Sequence, residues 1–274
     1  MTQPTLAFIG AGNMARAIIG GLLENGYPAS AIWASEPDAE KLSDLETQGL
    51  NVTTDNNQAV SAADVVVLAV KPQIMKAVTT AMSAAVQQKK PLIVSVAAGI
   101  PVESLQRWMG ADTAVVRCMP NTPALVQTGA SGLFASPQVT AEQKAITDEV
   151  MAATGISLWV EKEELIDAVI AVSGSGPAYY FLFMEAMIAM GEKMGLSAEV
   201  SKQLTLQTAA GAAKMALNSD VDPAELRRRV TSPNGTTEQA ILSFQRDSLE
   251  EIVARAMTNC SKRAAAMAEE LGKD

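Results

Sequence analysis

Histidine is absent from all 274 residues. Every mechanism that depends on imidazole is therefore excluded, including His-based nucleophilic triads and most transition-metal sites, and no metal is expected. Cysteine is nearly absent: Cys118 and Cys260 stand far apart without CxxC spacing. There is also no basic leader followed by an apolar stretch and a cleavage site, so the expectation is a reduced, cytoplasmic protein. Cationic charge is in deficit, with 21 Lys and Arg against 30 Asp and Glu, a formal charge of −9. A polyanion would bind against that field, so nucleic acid is not an expected partner. No uninterrupted membrane-length run occurs. The most apolar region, Val169 to Met190, is broken by Ser173-Gly174-Ser175-Gly176-Pro177 and interrupted by Glu185, and reads as a buried helix, not a membrane span. Internal repeats and low-complexity linkers are missing too, so two directly packed domains are expected for a chain of this length with 48% hydrophobic residues.

What is present is organised around Leu6-Ala7-Phe8-Ile9-Gly10-Ala11-Gly12-Asn13-Met14-Ala15. A strand-type apolar run meets two glycines and then an amphipathic segment, Met14 to Leu23, that ends near Asn25-Gly26. The G-x-G-x-x-A spacing has a mechanical reading. Gly10 permits the turn, Gly12 lets backbone approach a pyrophosphate, and small Ala15 lets the helix pack closely on the strand. The helix N-terminus then presents N–H groups to phosphate. The alternative is a merely structural βα turn.

Strand-like and helical patterns alternate after this unit, the signature of a parallel sheet covered on both faces. Strands are expected at Ala31 to Ser35, Val65 to Val70, Leu92 to Val96, Ala114 to Met119, Gly132 to Ala135 and Ile156 to Val160. Helices are expected at Gln73 to Val86, Val102 to Trp108 and Ala141 to Ala153, with Pro120-Asn121-Thr122-Pro123 as a loop. The first domain is expected to span residues 1–162. In residues 163–274 strand signals disappear, and helices are expected at Pro177 to Met194, Ala198 to Asn218, Asp222 to Val230, Thr236 to Arg246 and Ser248 to Leu271. Met184, Met187, Met190 and Met194 read as core of that helical domain. Its high apolar content suggests that part of the buried surface is shared with a second subunit.

Ligands of open parallel sheets bind beyond the C-terminal ends of the strands. Four stretches fall there: Gly10 to Ala15, Ala69-Val70-Lys71-Pro72, Ala97-Ala98-Gly99, and Met119 to Pro123. Lys71 either hydrogen-bonds a cofactor or sits in solvent at a helix start, and its backbone is the surer contact. Asn121 can hydrogen-bond a nicotinamide or substrate, or serve the turn between two prolines. Cys118 reads as strand packing, since no histidine exists to activate it. Further along, Thr236-x-x-Gln239 has capping-box form. The same turn points N–H groups of Gly235, Thr236 and Thr237 outward, which suits a small carboxylate. Ser173 to Pro177 can make a comparable donor-rich turn.

Taken together, five stretches carry a specific resemblance: Gly10 to Ala15, Ala69 to Pro72, Arg117-Cys118-Met119-Pro120-Asn121-Thr122-Pro123, Ser173-Gly174-Ser175-Gly176-Pro177-Ala178-Tyr179, and Val230-Thr231-Ser232-Pro233-Asn234-Gly235-Thr236-Thr237. In this order the chain resembles the Δ1-pyrroline-5-carboxylate reductases, the last enzymes of proline biosynthesis. The resemblance implies an α/β fold, with an N-terminal Rossmann domain and an all-α C-terminal domain that forms a homodimer, often in rings of dimers. It implies reduction of the cyclic imine of pyrroline-5-carboxylate to L-proline, usually with NADPH and sometimes with NADH. By the same analogy Gly235, Thr236 and Thr237 bind the substrate carboxylate, with the Thr237 hydroxyl near the ring nitrogen. Met119, Asn121, Ser175 and Val230 line the ring and nicotinamide. Gly10, Gly12, Asn13, Met14, Ala15, Ser35, Glu36, Asn56, Ala69, Val70, Lys71, Pro72 and Ala97 contact the cofactor.

A protonated imine already carries its electrophile, so hydride transfer needs orientation and charge placement more than a strong acid. Thr237 is accordingly expected to orient the substrate or relay its proton. Ser35-Glu36-Pro37 departs from the pattern of NADP-preferring members, which often place small hydroxyl or basic residues there. Glu36 suits a free ribose hydroxyl, so local chemistry alone favours NADH, but the family pattern favours NADPH, and NADPH is the expected donor with NADH as the alternative. Asn56, matched to an adenosine-ribose contact, is neutral and does not decide. Two rivals remain: a related β-hydroxyacid dehydrogenase or imine reductase, for which Lys193, Lys202 and Lys214 stand in no matching motif, and a non-catalytic dinucleotide-binding sensor.

Overall fold

A computed structural model describes residues 3–273. Among these the chain forms eight strands: β1 (Leu6–Ile9), β2 (Ile32–Ser35), β3 (Asn51–Thr53), β4 (Val65–Leu68), β5 (Leu92–Ser95), β6 (Val115–Met119), β7 (Gly129–Ala135) and β8 (Gly155–Trp159). They make one sheet in the order β3-β2-β1-β4-β5-β6-β7-β8. Neighbours are parallel except β6 and β7, which run antiparallel. The sheet is thus parallel, as expected, apart from this one pair. A parallel return needs a crossover of a dozen or more residues, and the chain from Met119 to Gly129 is too short to supply one.

The helices of this unit are α1 (Asn13–Glu24), α2 (Ser43–Thr47), α3 (Asn56–Ala62), α4 (Pro72–Ala81), α5 (Ser83–Lys89), α6 (Val102–Met109), α7 (Ala141–Ala152) and α8 (Leu165–Val169). Period-two alternation sends each apolar strand to two cores at once. In β1, Leu6 and Phe8 join one buried cluster with Ala15, Ile18, Ile19 and Leu22 of α1. Ala7 and Ile9 join the other with Met75 of α4, Val86 of α5 and Leu105 of α6. Phe8 and Leu6 are wholly buried, and each such side chain contributes roughly 1.5–3 kcal/mol relative to exposure. The helix expected over Gln73 to Val86 is two helices, because Met82 turns into the core with φ −102° and ψ 5°. β3, α2 and α3 are additional elements, too short and too polar to announce themselves by periodicity.

By contacts the chain divides into one unit that runs to Ser175 and resumes at Cys260, and a second, Gly176–Asn259. The sequence pattern had placed the junction at 162/163. Residues 163–175 stay with the sheet because Ile166 and Ile170 pack with Ala264, Met119 and Phe134. The last residues return for a similar reason: Leu271 packs on the second core cluster, and the Gly272 carbonyl accepts from Ser104 Oγ at 3.0 Å.

The second unit is helical. It contains α9 (Gly176–Lys193), α10 (Ala198–Leu217), α11 (Pro223–Arg229), α12 (Thr236–Arg246) and the first part of α13 (Leu249–Leu271). α9 and α10 approach closely at Gly191 and Ser201, whose Oγ donates to the Ile188 carbonyl at 2.8 Å. Phe183 and Phe244 hold α9 to α12 with ring centroids 6.0 Å apart. Gly195 at φ +101° ends the first hairpin helix, and Asp222 caps α11 by accepting from Glu225 N–H at 2.8 Å.

Two expectations fail here. The stretch Val169 to Met190 is not a buried helix: Tyr180, Phe181 and Leu182 are 62–70% exposed. The methionine stripe is not core of this chain either, since Met187, Met190 and Met194 are exposed. Apolar residues run along α9, which packs on α10 and, through Phe183, on α12. By length and composition one helical stretch, Leu165–Lys193, is long and apolar enough to cross a membrane.

Candidate active site

The first glycine of the loop is required twice over. Gly10 adopts φ +94°, and a Cβ there would lie 2.9 Å from the Ala69 carbonyl oxygen at the end of β4. Gly12 differs: a Cβ on it meets nothing within 4 Å, so the space before α1 is open. Gly12 is the N-cap of α1, and no side chain caps that end. The N–H groups of Asn13, Met14 and Ala15 therefore keep the positive end of the helix available to an anion. Ala15 is wholly buried against the sheet, where a larger side chain would push the helix away. This cradle fits a dinucleotide pyrophosphate.

At the end of β2, Glu36 turns inward. Its Oε2 accepts from Ala11 N–H at 3.2 Å, and Lys41 Nζ lies 4.0 Å from its Oε1 and 3.4 Å from Asp38. Arg16 braces this wall. Its Nε donates to the Ala11 carbonyl at 3.0 Å, and its other nitrogens donate to the Lys41 carbonyl and the Asp44 carboxylate. The guanidinium holds Asp44 below the usual carboxylate range. Ser35 is wholly buried, and its Oγ donates to Asn56 Oδ1 at 2.7 Å. Asn56 opens α3, which Asp55 caps through Asn57 N–H at 2.9 Å.

Along the same sheet edge, Ala69 and Val70 follow β4, and Lys71 is the N-cap before Pro72 at the start of α4. The Lys71 side chain is exposed. Ala97, beyond β5, is buried. Met119 ends β6, with its Cε against Gly174, where a Cβ would sit only 2.8 Å away. Asn121 is 8% exposed, and both ends of its amide are engaged. Oδ1 accepts from Ala130 N–H at 2.9 Å, and Nδ2 donates to the Ser173 carbonyl at 3.0 Å. That carbonyl needs an outside donor, because position 177, four residues on, is proline and has no N–H. Ser173 belongs to a π turn, Ile170–Gly174, closed by Ser175 N–H on the Ile170 carbonyl at 2.7 Å. Ser175 Oγ in turn lies 3.3 Å from Cys260 Sγ.

In the helical unit, Val230 is the exposed C-cap of α11, and Gly235 is the N-cap of α12. The expected capping box at Thr236 does not form. Asn234 adopts φ +59°, and its N–H donates to Glu238 Oε2 at 2.7 Å. Gly235 N–H is also spent, on the Ser232 carbonyl at 3.0 Å. Of the three N–H groups expected to face a carboxylate, those of Thr236 and Thr237 remain at the helix start without helical acceptors, and both residues are exposed.

The sheet unit thus brings Gly10 to Ala15, Ser35, Glu36, Asn56, Ala69 to Pro72, Ala97, Met119, Asn121 and Ser175 to the C-terminal ends of β2, β1, β4, β5 and β6, consecutive in the sheet. Val230 and Gly235 to Thr237 share one turn of the helical unit. Arg16, Cys260 and Glu163 were not foreseen. Glu163 receives Arg117 NH1 at 2.9 Å and Val102 N–H at 2.8 Å, but an isolated acid carries no sequence signal for partners 46 and 61 residues away. Cys118 is fully buried, and burial pushes its thiol up to about 12, which agrees with packing and not nucleophilic chemistry.

Comparison with known proteins places these features in a family. Residues 163–267 match the family model described as pyrroline-5-carboxylate reductase dimerisation, and residues 5–99 match the one described as NADP oxidoreductase coenzyme F420-dependent. The pyrroline-5-carboxylate reductase of Pseudomonas aeruginosa is 56% identical over 274 residues, covering 100% of each chain. Among solved structures, a pyrroline-5-carboxylate reductase from Coxiella burnetii is 42% identical, with a TM-score of 0.94 and 100% of each chain covered. The Plasmodium falciparum pyrroline carboxylate reductase with NADP bound is 29% identical, with a TM-score of 0.85 over 98% of this chain and 99% of the other. The dimerisation region coincides with the helices whose apolar faces the single chain leaves uncovered, so this chain contains both a nicotinamide-dinucleotide fold and a self-associating helical region. The chain belongs to the pyrroline-5-carboxylate reductase family.

Proposed function

We propose that this protein reduces Δ1-pyrroline-5-carboxylate to L-proline, the last step of proline biosynthesis, with NADPH or NADH as donor. The observation that carries the reading is the uncapped, open cradle at Gly12 and α1, in a chain of this family that has no histidine. The dinucleotide, when bound, supplies the hydride for the imine carbon. Gly12 and the first N–H groups of α1 hold its pyrophosphate, and Ala69 to Pro72 and Ala97 flank it along the strand ends.

The substrate arrives as a protonated imine with a carboxylate beside it. Thr236 and Thr237 offer N–H donors at the positive end of α12 to that carboxylate. The Thr237 hydroxyl orients the ring nitrogen, since an ordinary hydroxyl is too weak to be the dominant acid. Met119, Ser175 and Val230 line the ring, and Asn121 acts through Ser173 by fixing the turn that carries Ser175. Residues 1–162 carry the dinucleotide site together with Met119 and Asn121 of the ring's wall, and residues 163–274 carry the donors to the substrate carboxylate and the self-associating helices, as a homodimer that can build rings of dimers in the cytoplasm.

Initial rates of NADPH and NADH oxidation with pyrroline-5-carboxylate, with proline assayed as product, test the reading. Imine-dependent oxidation yielding proline is expected. Turnover of β-hydroxyacids without turnover of the imine would replace the reading with the related dehydrogenase, and binding without any turnover would replace it with the sensor.

A further inference from the structure

Resting on the dinucleotide-binding part of that reading, we infer that Glu36 makes this chain select NADH over NADPH. The two donors differ by one phosphate on the adenosine ribose, so the choice is made by what surrounds the end of β2. Three observations bear on it. Glu36 is anchored toward the glycine loop, because its carboxylate accepts Ala11 N–H at 3.2 Å and its side chain is only 21% exposed. The hydroxyl that would otherwise welcome a phosphate, that of Ser35, is wholly buried and already donates to Asn56 at 2.7 Å. Of the two cations at this wall, Lys41 is shared between Glu36 and Asp38, at 4.0 and 3.4 Å, and Arg16 is paired with Asp44.

The nearby Asp55 is likewise committed to capping α3, as an acid. Arg16, which is always charged, commits four of its five N–H donors to the Ala11 carbonyl, the Lys41 carbonyl and the Asp44 carboxylate. A 2′-phosphate brought here meets a fixed carboxylate with no uncommitted cation among these groups. A free ribose hydroxyl meets a well-oriented acceptor. Like charges juxtaposed in a half-buried site are strongly unfavourable, so an affinity ratio of about tenfold or more for NADH is expected.

The test is the equilibrium dissociation constant of the full-length protein for NADH and for NADPH, read by nicotinamide fluorescence without imine present, in the parent, Glu36→Gln and Lys41→Ala. The parent is expected to bind NADH about tenfold or more tightly than NADPH. Glu36→Gln is expected to collapse that ratio, chiefly by tightening NADPH. Lys41→Ala, on an exposed side chain that tests the same wall if the first variant folds poorly, is expected to widen it. Equal or tighter NADPH binding by the parent, or a ratio unmoved by both substitutions, overturns the inference. Absence of binding by either dinucleotide overturns it together with the dinucleotide-binding reading. A preserved ratio without proline formation upholds it and removes only the proposed reaction.

Discussion

Replacing Asn121 by alanine separates two roles that the residue type alone allows. If Asn121 is the clamp described above, the substitution removes two hydrogen bonds at 2.9 and 3.0 Å. It leaves one donor, Ala130 N–H, and one acceptor, the Ser173 carbonyl, without those partners. Each such group costs about 1–3 kcal/mol when buried, and both lie partly buried, so a loss of about 2–4 kcal/mol is expected. Asn121→Asp sharpens the test. It keeps the acceptor for Ala130 but sets a carboxylate against the Ser173 oxygen, so its acid form, which can donate, is favoured in the folded state. The folded pKa is then raised above the unfolded value of about 3.9. Stability is retained below that value and lost as pH rises through the folded pKa. Urea unfolding at fixed protomer concentration, from pH 3.5 to 8, measures both variants, with KM and kcat for the imine alongside. Stability within about 0.5 kcal/mol of the parent, together with a raised KM, would show Asn121 to be a substrate ligand and refute the clamp.

The two loop glycines are expected to fail in opposite ways. Gly10→Ala should destabilise the fold by about 2 kcal/mol or more, from its positive φ and the approach of Ala69. Gly12→Ala should leave thermal stability within about 0.5 kcal/mol yet weaken dinucleotide binding in titration, because its Cβ enters only the open cradle. Cys118 stays a thiol in the fold until about pH 12 but ionises near 9 when unfolded, so stability is full below pH 9 and declines above it. By pH 10 that decline is about 1.4 kcal/mol, and Cys118→Ala, though less stable at pH 7, should lack it in denaturant titrations. Thr237→Ala should lower kcat/KM for the imine about 10–100-fold, and Thr237→Ser should retain most of it. Unchanged kcat and KM in Thr237→Ala would remove its orienting role.

What could be read in advance was whatever is local. The turn at Gly10, the helix start at Gly12 and the acid at Glu36 lie within one βα unit and the following strand, and spacing alone locates them. Asn121 could not be assigned, because its partner Ser173 is 52 residues away and needs it only because residue 177 is proline. The threonine turn was located correctly but its donors were miscounted. Thr236-x-x-Gln239 fits a capping box by spacing, yet Asn234 at positive φ shifts the cap to Gly235 and gives the return bond to Glu238. The reversal between β6 and β7 is encoded in the shortness of their connection, whereas the apolar pattern of a strand carries no direction.

The helical unit shows why hydrophobicity predicts burial without saying by what. From Gly176 to Asn259 the buried residues are Gly176, Ser201 and Thr205, none of them a large apolar side chain. Ordering each residue of a helix costs about 1–2 kcal/mol of backbone entropy, normally offset by burying an apolar face. Here Tyr180, Phe181, Leu182, Met190 and Leu204 remain more than half exposed, so the single chain leaves that offset largely unmade. The missing burial must come from another surface, and the match of residues 163–267 to a dimerisation family identifies that surface as a second copy. Folding of α9 to α12 is then expected to be coupled to self-association, so that their stability rises with protomer concentration.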